Sequence, residues 1–275
     1  MALEEERFDG GSTGIAWRRL GDGPPLLLIN GYAATKDDWD PTFLAGLASK
    51  SEVICPDNRG IGESARGVQD VSIASMATDL VSLLDDLKID RVDVAGWSMG
   101  GFIAQKLVAW IPERVKSLTL LSTDTGGTRA ARRSIEVQEK LTDKTGTPEE
   151  QADRLIDLLF PPEFAAQVKV AAGSIVADAR SKLDPDVLAE QEQAMVDWYE
   201  HSVPPIDQIS ELALDGFPVL IAHGLEDRVI PVRNSRALSG ALEDAWLARF
   251  PGGGHAFIAQ EPDRLSGLIN LFLRR

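Results

Sequence analysis

Ser98 is the residue whose setting first suggests chemistry. It stands in Gly96-Trp97-Ser98-Met99-Gly100, where an apolar run passes into a helical stretch over residues 92–101. A residue held in a strained strand-to-helix turn needs neighbours without side chains, because strand and helix approach closely there. Gly96 and Gly100 supply that room. The Ser98 hydroxyl then stands clear of the sheet, with the Met99 amide N–H aimed at whatever the hydroxyl attacks. A serine hydroxyl is a poor nucleophile at neutral pH until a base takes its proton. The chain offers three histidines for that task, His201, His223 and His255. An acid is then needed on the far imidazole nitrogen, to fix the tautomer and stabilise the imidazolium.

The elements that position these groups are legible in the patterning. Residues 14–20 read as an early strand, and a Gly-Asp-Gly-Pro-Pro turn hands over to the continuous apolar run 26–29, which suits a strand buried on both faces. A small-residue loop, Asn30 to Thr35, follows, then a helix over 41–48 and a strand over 52–55. In the turn after it, Asp57 and Arg59 are placed to pair as a structural brace. Met76, Leu80, Leu83, Leu84 and Leu87 recur at helical spacing and predict an amphipathic helix over 72–87. The Ser98 stretch comes next, then a helix over 101–110 stopped by Pro112 and a strand over 117–121. This alternation predicts a parallel sheet with helices on both faces.

The rhythm breaks at Asp124-Thr125-Gly126-Gly127, and roughly eighty residues of helix signals follow. Thr147, Pro148 and Glu150 spell a capping box, and a further helix runs from 184–185 to about 199. Strands over 218–222 and 245–250 and helices over 231–242 and 262–273 then complete the chain. His223 ends a strand beside Asp227, a bracing position, whereas His201 ends a helix of the insertion, at the surface or facing the pocket.

Composition narrows the function classes. A chain of 275 residues with 44% hydrophobic content can bury a full core. Its formal charge of −15 argues against nucleic acid or an anionic membrane as partner. The single cysteine, Cys55, reads as a buried thiol and leaves no disulfide or metal-ligand spacing. Met1 to Arg7 is acidic without an apolar core, unlike a secretory signal, so the expected location is cytoplasmic.

The order of parts resembles the α/β-hydrolase fold family. The resemblance is carried by Asn30-Gly31-Tyr32, Asp57-Asn58-Arg59-Gly60-Ile61-Gly62-Glu63-Ser64, Gly96-Trp97-Ser98-Met99-Gly100, Gly224-Leu225-Glu226-Asp227 and Gly254-His255, nearly the whole chain outside the inserted helices. It implies a mostly parallel twisted sheet with helices on both faces, residues 1–124 and 211–275 forming the core and 125–210 a helical cap. The sequence looks like the small cap-bearing branch of 3-oxoadipate enol-lactonases, cofactor-free haloperoxidases, C–C bond hydrolases and small esterases. Serine at the nucleophile position sets it apart from the haloalkane dehalogenases and epoxide hydrolases, which have aspartate there.

Carried over residue by residue, the resemblance implies Ser98 as nucleophile, His255 as base and Asp227 as acid, with Asp124 the alternative acid that some relatives use. The backbone N–H groups of Met99 and Tyr32 would form the oxyanion hole, although the family usually has His-Gly where this chain has Asn30-Gly31. Gly31, Trp97 and Trp198 are expected against the substrate. Phe160, Phe164, Met195, Trp198 and Tyr199 either line the pocket or form the cap's own core. The implied reaction is cleavage of a small, mostly apolar ester or lactone through an acyl-enzyme, with no metal or organic cofactor. The same triad could instead serve a perhydrolase or C–C bond hydrolase, and a non-catalytic ligand-binding relative is the third reading.

Overall fold

The computed structural model describes residues 5–10, 13–200 and 204–274, so the expectation for His201 lies outside the described residues, as does part of that for Met1 to Arg7. Among the described residues eight strands form one sheet: β1 (Glu5–Gly10), β2 (Ile15–Leu20), β3 (Pro25–Ile29), β4 (Glu52–Pro56), β5 (Val92–Trp97), β6 (Val115–Leu121), β7 (Val219–Gly224) and β8 (Trp246–Phe250). Their order is β1-β2-β4-β3-β5-β6-β7-β8. β2 pairs antiparallel with β1 and with β4, and every later pairing is parallel. β1 was not expected, because Glu-Glu-Arg-Phe-Asp-Gly carries no apolar alternation; pairing with β2 makes it a strand.

Eleven α-helices of the described residues accompany the sheet: α1 (Pro41–Ala48), α2 (Ile73–Asp86), α3 (Met99–Trp110), α4 (Ile135–Thr142), α5 (Pro148–Leu159), α6 (Pro162–Ser181), α7 (Pro185–Glu200), α8 (Ile206–Leu214), α9 (Arg233–Ala241), α10 (Phe257–Gln260) and α11 (Pro262–Leu273). The strands deal their side chains alternately to two helical layers. Leu26 and Leu28 face α1 and α11, meeting Phe43, Leu47, Ile269 and Phe272, whereas Leu27 and Ile29 face α2 and α3. All four β3 residues are fully buried. Each such side chain contributes about 1.5–3 kcal/mol of apolar burial, which is why a continuous apolar run marks a two-sided strand.

The strand order reverses around β3, with β4 on one side and β5 on the other. The loops leaving the carboxyl ends of β3 and β5 therefore diverge around a crevice, where open α/β sheets hold their sites. Between β6 and β7 the chain makes α4 to α8. The capping box is formed, with Thr147 Oγ1 accepting from the Glu150 amide and Glu150 from the Thr147 amide. Pro162 starts the twenty-residue helix α6 at its first turn, where a missing N–H costs nothing.

Candidate active site

The turn carrying Ser98 is strained as its spelling requires. Ser98 has φ 56° and ψ −123°, outside the range L-residues favour, and it sits between the end of β5 and the start of α3. Three groups hold it there: its N–H donates to the Leu121 carbonyl at 2.9 Å, and its own carbonyl accepts from the Gly101 amide and the Thr123 hydroxyl, each at 2.9 Å. A side chain on Gly96 would strike the Gly100 carbonyl, and one on Gly100 would strike the Ile29 carbonyl. Strand, turn and helix are thus as close as backbones can be.

His255 arrives from the loop after β8, which Gln260 ties down by donating to the Gly252 carbonyl at 2.9 Å and accepting from the Gly254 amide at 2.8 Å. Its Nδ1 lies 2.8 Å from Asp227 Oδ2. With Nδ1–H donating to that carboxylate, Nε2 is left as an acceptor. Asp227 is itself built into the loop after β7, where its Oδ1 accepts from the amides of Val229 and Ile230 at 2.9 and 2.8 Å. His223 Nε2 lies 3.1 Å from Asp227 Oδ2 and 2.8 Å from the Ile230 carbonyl, so His223 braces the acid loop as expected. Burial alone would raise the Asp227 pKa, but the charge and hydrogen bonds of His255 and the hydrogen bond of His223 outweigh it and hold the carboxyl well below the usual range.

Asp124 has other partners. Its Oδ1 accepts from Trp198 Nε1 at 3.0 Å and from the Gly126 amide at 2.8 Å, and its Oδ2 accepts from the Tyr199 hydroxyl at 2.7 Å. Those three donors commit it to holding α7, and the carboxylate facing His255 is that of Asp227. Burial pushes the Asp124 pKa up despite its hydrogen bonds.

Ser98 and His255 share the wall of a cavity of about 470 Å³ with Trp97, Trp39, Phe160 and Met195. Trp97 also steadies His255: its ring centroid is 5.2 Å from that of the imidazole, and its Nε1 donates to the His255 carbonyl at 3.0 Å. Trp198 is not on this wall, contrary to expectation. It stacks on Phe102 of α3 at 4.8 Å and is committed to Asp124, so it joins the insertion to the core instead of meeting a ligand. Gly31 is likewise off the wall, packed behind Ser98 with its N–H taken by Asn30 Oδ1 at 3.1 Å. Phe164 packs behind Phe160, and Tyr199 is turned toward Asp124.

The amide of Tyr32 differs from its neighbours. The Gly31 amide is taken by Asn30, that of Ala33 by Gln191 Oε1 at 3.0 Å and that of Thr35 by Asp38. Among the described residues neither the Tyr32 amide nor the Met99 amide has an acceptor, which leaves one free N–H on the loop after β3 and one at the start of α3, next to Ser98. Asn30 fills the usual histidine position by spanning the loop, its Nδ2 donating to Thr35 O at 2.5 Å and its Oδ1 accepting from Gly31.

A sequence model of the alpha/beta hydrolase fold matches residues 24–262. The chain belongs to the alpha/beta hydrolase fold family. Its membership makes it a hydrolase-type enzyme, and relatives agree on the fold. A protein of Azorhizobium caulinodans provisionally named carbamate hydrolase RutD is 31% identical over 94% of this chain and 95% of its own. The meta-cleavage product hydrolase of Pseudomonas fluorescens IP01 superposes with a TM-score of 0.82 at 20% identity, covering 98% of this chain and 97% of that one. The enol-lactonase of Burkholderia xenovorans LB400 gives 0.79 at 20% identity, covering 98% of this chain and all of the other.

Several residues that shape this hydrolase's site escaped the sequence reading. Asp57 does not pair with Arg59: it accepts from Lys36 Nζ at 2.9 Å and from the Lys36 and Glu63 amides, while Arg59 is engaged by Asp79. Lys36 is thereby buried under the loop that carries Tyr32. Arg133 and Arg180 reach the cavity from the inserted segment, where no pattern announced them. The single thiol, Cys55, is buried and forms no disulfide. No described helix is long and apolar enough to cross a membrane.

Proposed function

We propose that this chain is a serine hydrolase that cleaves a small, mostly apolar ester or lactone by acyl transfer. The observation that carries the reading is the convergence, on one apolar-walled cavity, of Ser98 and a His255 whose Nδ1 is held by Asp227. Ser98 Oγ attacks the carbonyl carbon while His255 Nε2 takes its proton, and the carbonyl oxygen becomes an oxyanion received by the Tyr32 and Met99 amides. Collapse of that intermediate expels the alcohol, to which His255 returns the proton. Water then attacks the acyl-enzyme by the same route and releases the acid. Asp227 stays ionised throughout, which its low pKa favours, and stabilises the imidazolium formed at each attack.

In the test, 4-nitrophenyl butyrate is hydrolysed by wild type and by Ser98→Ala, and both are treated with a fluorophosphonate probe. The expected result is a loss of about 10³-fold or more in kcat for Ser98→Ala and labelling of wild type only. Equal turnover by the variant would overturn the reading, and so would an unlabelled, active wild type.

A carbamate is the second substrate class, favoured by the relative at 31% identity, whose provisional name is carbamate hydrolase. The same attack on an alkyl carbamate would expel the alcohol and leave a carbamoyl-serine, whose hydrolysis yields carbamic acid and from it ammonia and carbon dioxide; release of those two from an alkyl carbamate, set beside butyrate release from the ester, separates the two.

A further inference from the structure

The loop proposed to supply an oxyanion donor is held in part from outside the sheet core, by two consecutive side chains of α7. Gln191 Oε1 accepts from the Ala33 amide at 3.0 Å, and Glu192 Oε1 accepts from the Tyr32 hydroxyl at 2.6 Å. Ala33 has φ 56°, a left-handed conformation that a residue with a Cβ keeps only when its surroundings impose it. Gln191 is fully buried and its Nε2 has no partner, so among the described residues its side chain is held by the bond to the loop alone. A buried amide left half unsatisfied is costly, and at this place it secures the peptide next to the Tyr32 N–H.

α7 is well anchored for such a task. Near its start Val187 and Leu188 pack with Ile61, Tyr32 and Ala33, and near its end Trp198 and Tyr199 donate to Asp124. Glu192 also meets Lys144, from the turn between α4 and α5, at 3.1 Å. The helix therefore joins the loop after β3, the loop after β6 and the other inserted helices into one assembly.

We propose that Gln191 and Glu192 are positioning residues that fix the Tyr32 amide, so that stabilisation of the transition state at Ser98 depends on how α7 seats against the loop. The inference rests on the proposed serine-hydrolase reading, in which that amide receives the oxyanion. An amide donor pays its full worth only when it is aimed at the oxygen of the tetrahedral state, and a displacement of a fraction of an ångström weakens that state more than the bound ester.

The test uses Gln191→Leu, which keeps the shape and removes the acceptor, together with Glu192→Leu and Glu192→Gln. Steady-state hydrolysis of 4-nitrophenyl butyrate is measured beside inhibition by an alkyl trifluoromethyl ketone, which forms a tetrahedral adduct with the serine, and by butyrate, which does not. Gln191→Leu and Glu192→Leu are expected to lower kcat about 10- to 100-fold with KM changed less than about 3-fold. Affinity for the ketone should fall by the same factor as kcat/KM while that for butyrate stays level, and Glu192→Gln should recover most of the rate lost in Glu192→Leu. A folded Leu variant with wild-type kcat, or one that loses ketone and butyrate affinity alike, would overturn the inference; if Gln191→Leu does not fold, the Glu192 pair decides. Failure here is distinct from failure of the underlying reading: an active Ser98→Ala sinks the serine mechanism, whereas an inactive Ser98→Ala beside fully active α7 variants sinks only the role of Gln191 and Glu192.

Discussion

Asp227 Oδ2 is bonded to His255 Nδ1 and has His223 Nε2 3.1 Å away, while its Oδ1 accepts from two amides. That environment makes it a stabilising charge as well as a proposed catalytic one. Because its folded pKa lies below the ordinary value of about 3.9, the charged form contributes stability above that pH and loses it as pH falls further, toward the folded value. Asp227→Asn is therefore expected to cost about 2–3 kcal/mol at neutral pH. Urea unfolding of both proteins at a series of acidic pH values should find this gap closing as pH falls below about 4. A gap that widens on acidification would contradict the assignment. Ser98, His255 and their loops were legible because each sits in a short glycine-rich sequence with local cause. The partners of Asp57 and Arg59 were not, since adjacency in sequence says nothing about where Lys36 and Asp79 arrive in space.

At the level of elements, α7 best separates packing from recognition. A Met or aromatic residue at helical spacing can serve either, and only the helix's rotation against its neighbours decides. Here that rotation sends Met195 to the cavity and Trp198 to Phe102 and Asp124. Trp198→Phe keeps a stacked ring but removes the indole N–H. It should lower stability by about 1–3 kcal/mol in denaturant unfolding while leaving KM for a small ester within about threefold of wild type, any loss of rate falling on kcat through the seating of α7. A large rise in KM with unchanged stability would return Trp198 to the substrate. The strands were legible for the opposite reason, because β3 and β5 to β7 are buried on both faces and apolar burial prints itself on the sequence without ambiguity.

Over the whole molecule, the alternating elements specified the parallel sheet, and the insertion announced itself where strand signals ceased. What could not be read was the placement of the inserted helices over the sheet, which depends on long-range contacts such as Tyr32 with Glu192 and Ala33 with Gln191. The same separation affects the site. Trp97 contacts the His255 carbonyl across 158 positions of chain, and Asp227 and His255 come from loops that follow the inserted helices. Contacts of such range require closing long loops and form late, after local helices and nearby strand pairs. The Ser98 turn is therefore complete in sequence before His255 has been made during synthesis, and it can form before His255 docks during refolding. In refolding from denaturant, recovery of helical circular dichroism should run ahead of recovery of fluorophosphonate labelling at Ser98, the lag measuring the docking of β7 and β8. Coincident recovery would mean that the sheet closes in one step. The position of the helical insertion in the chain thus acts as a timer: a half-made protein carries the serine without the means to activate it.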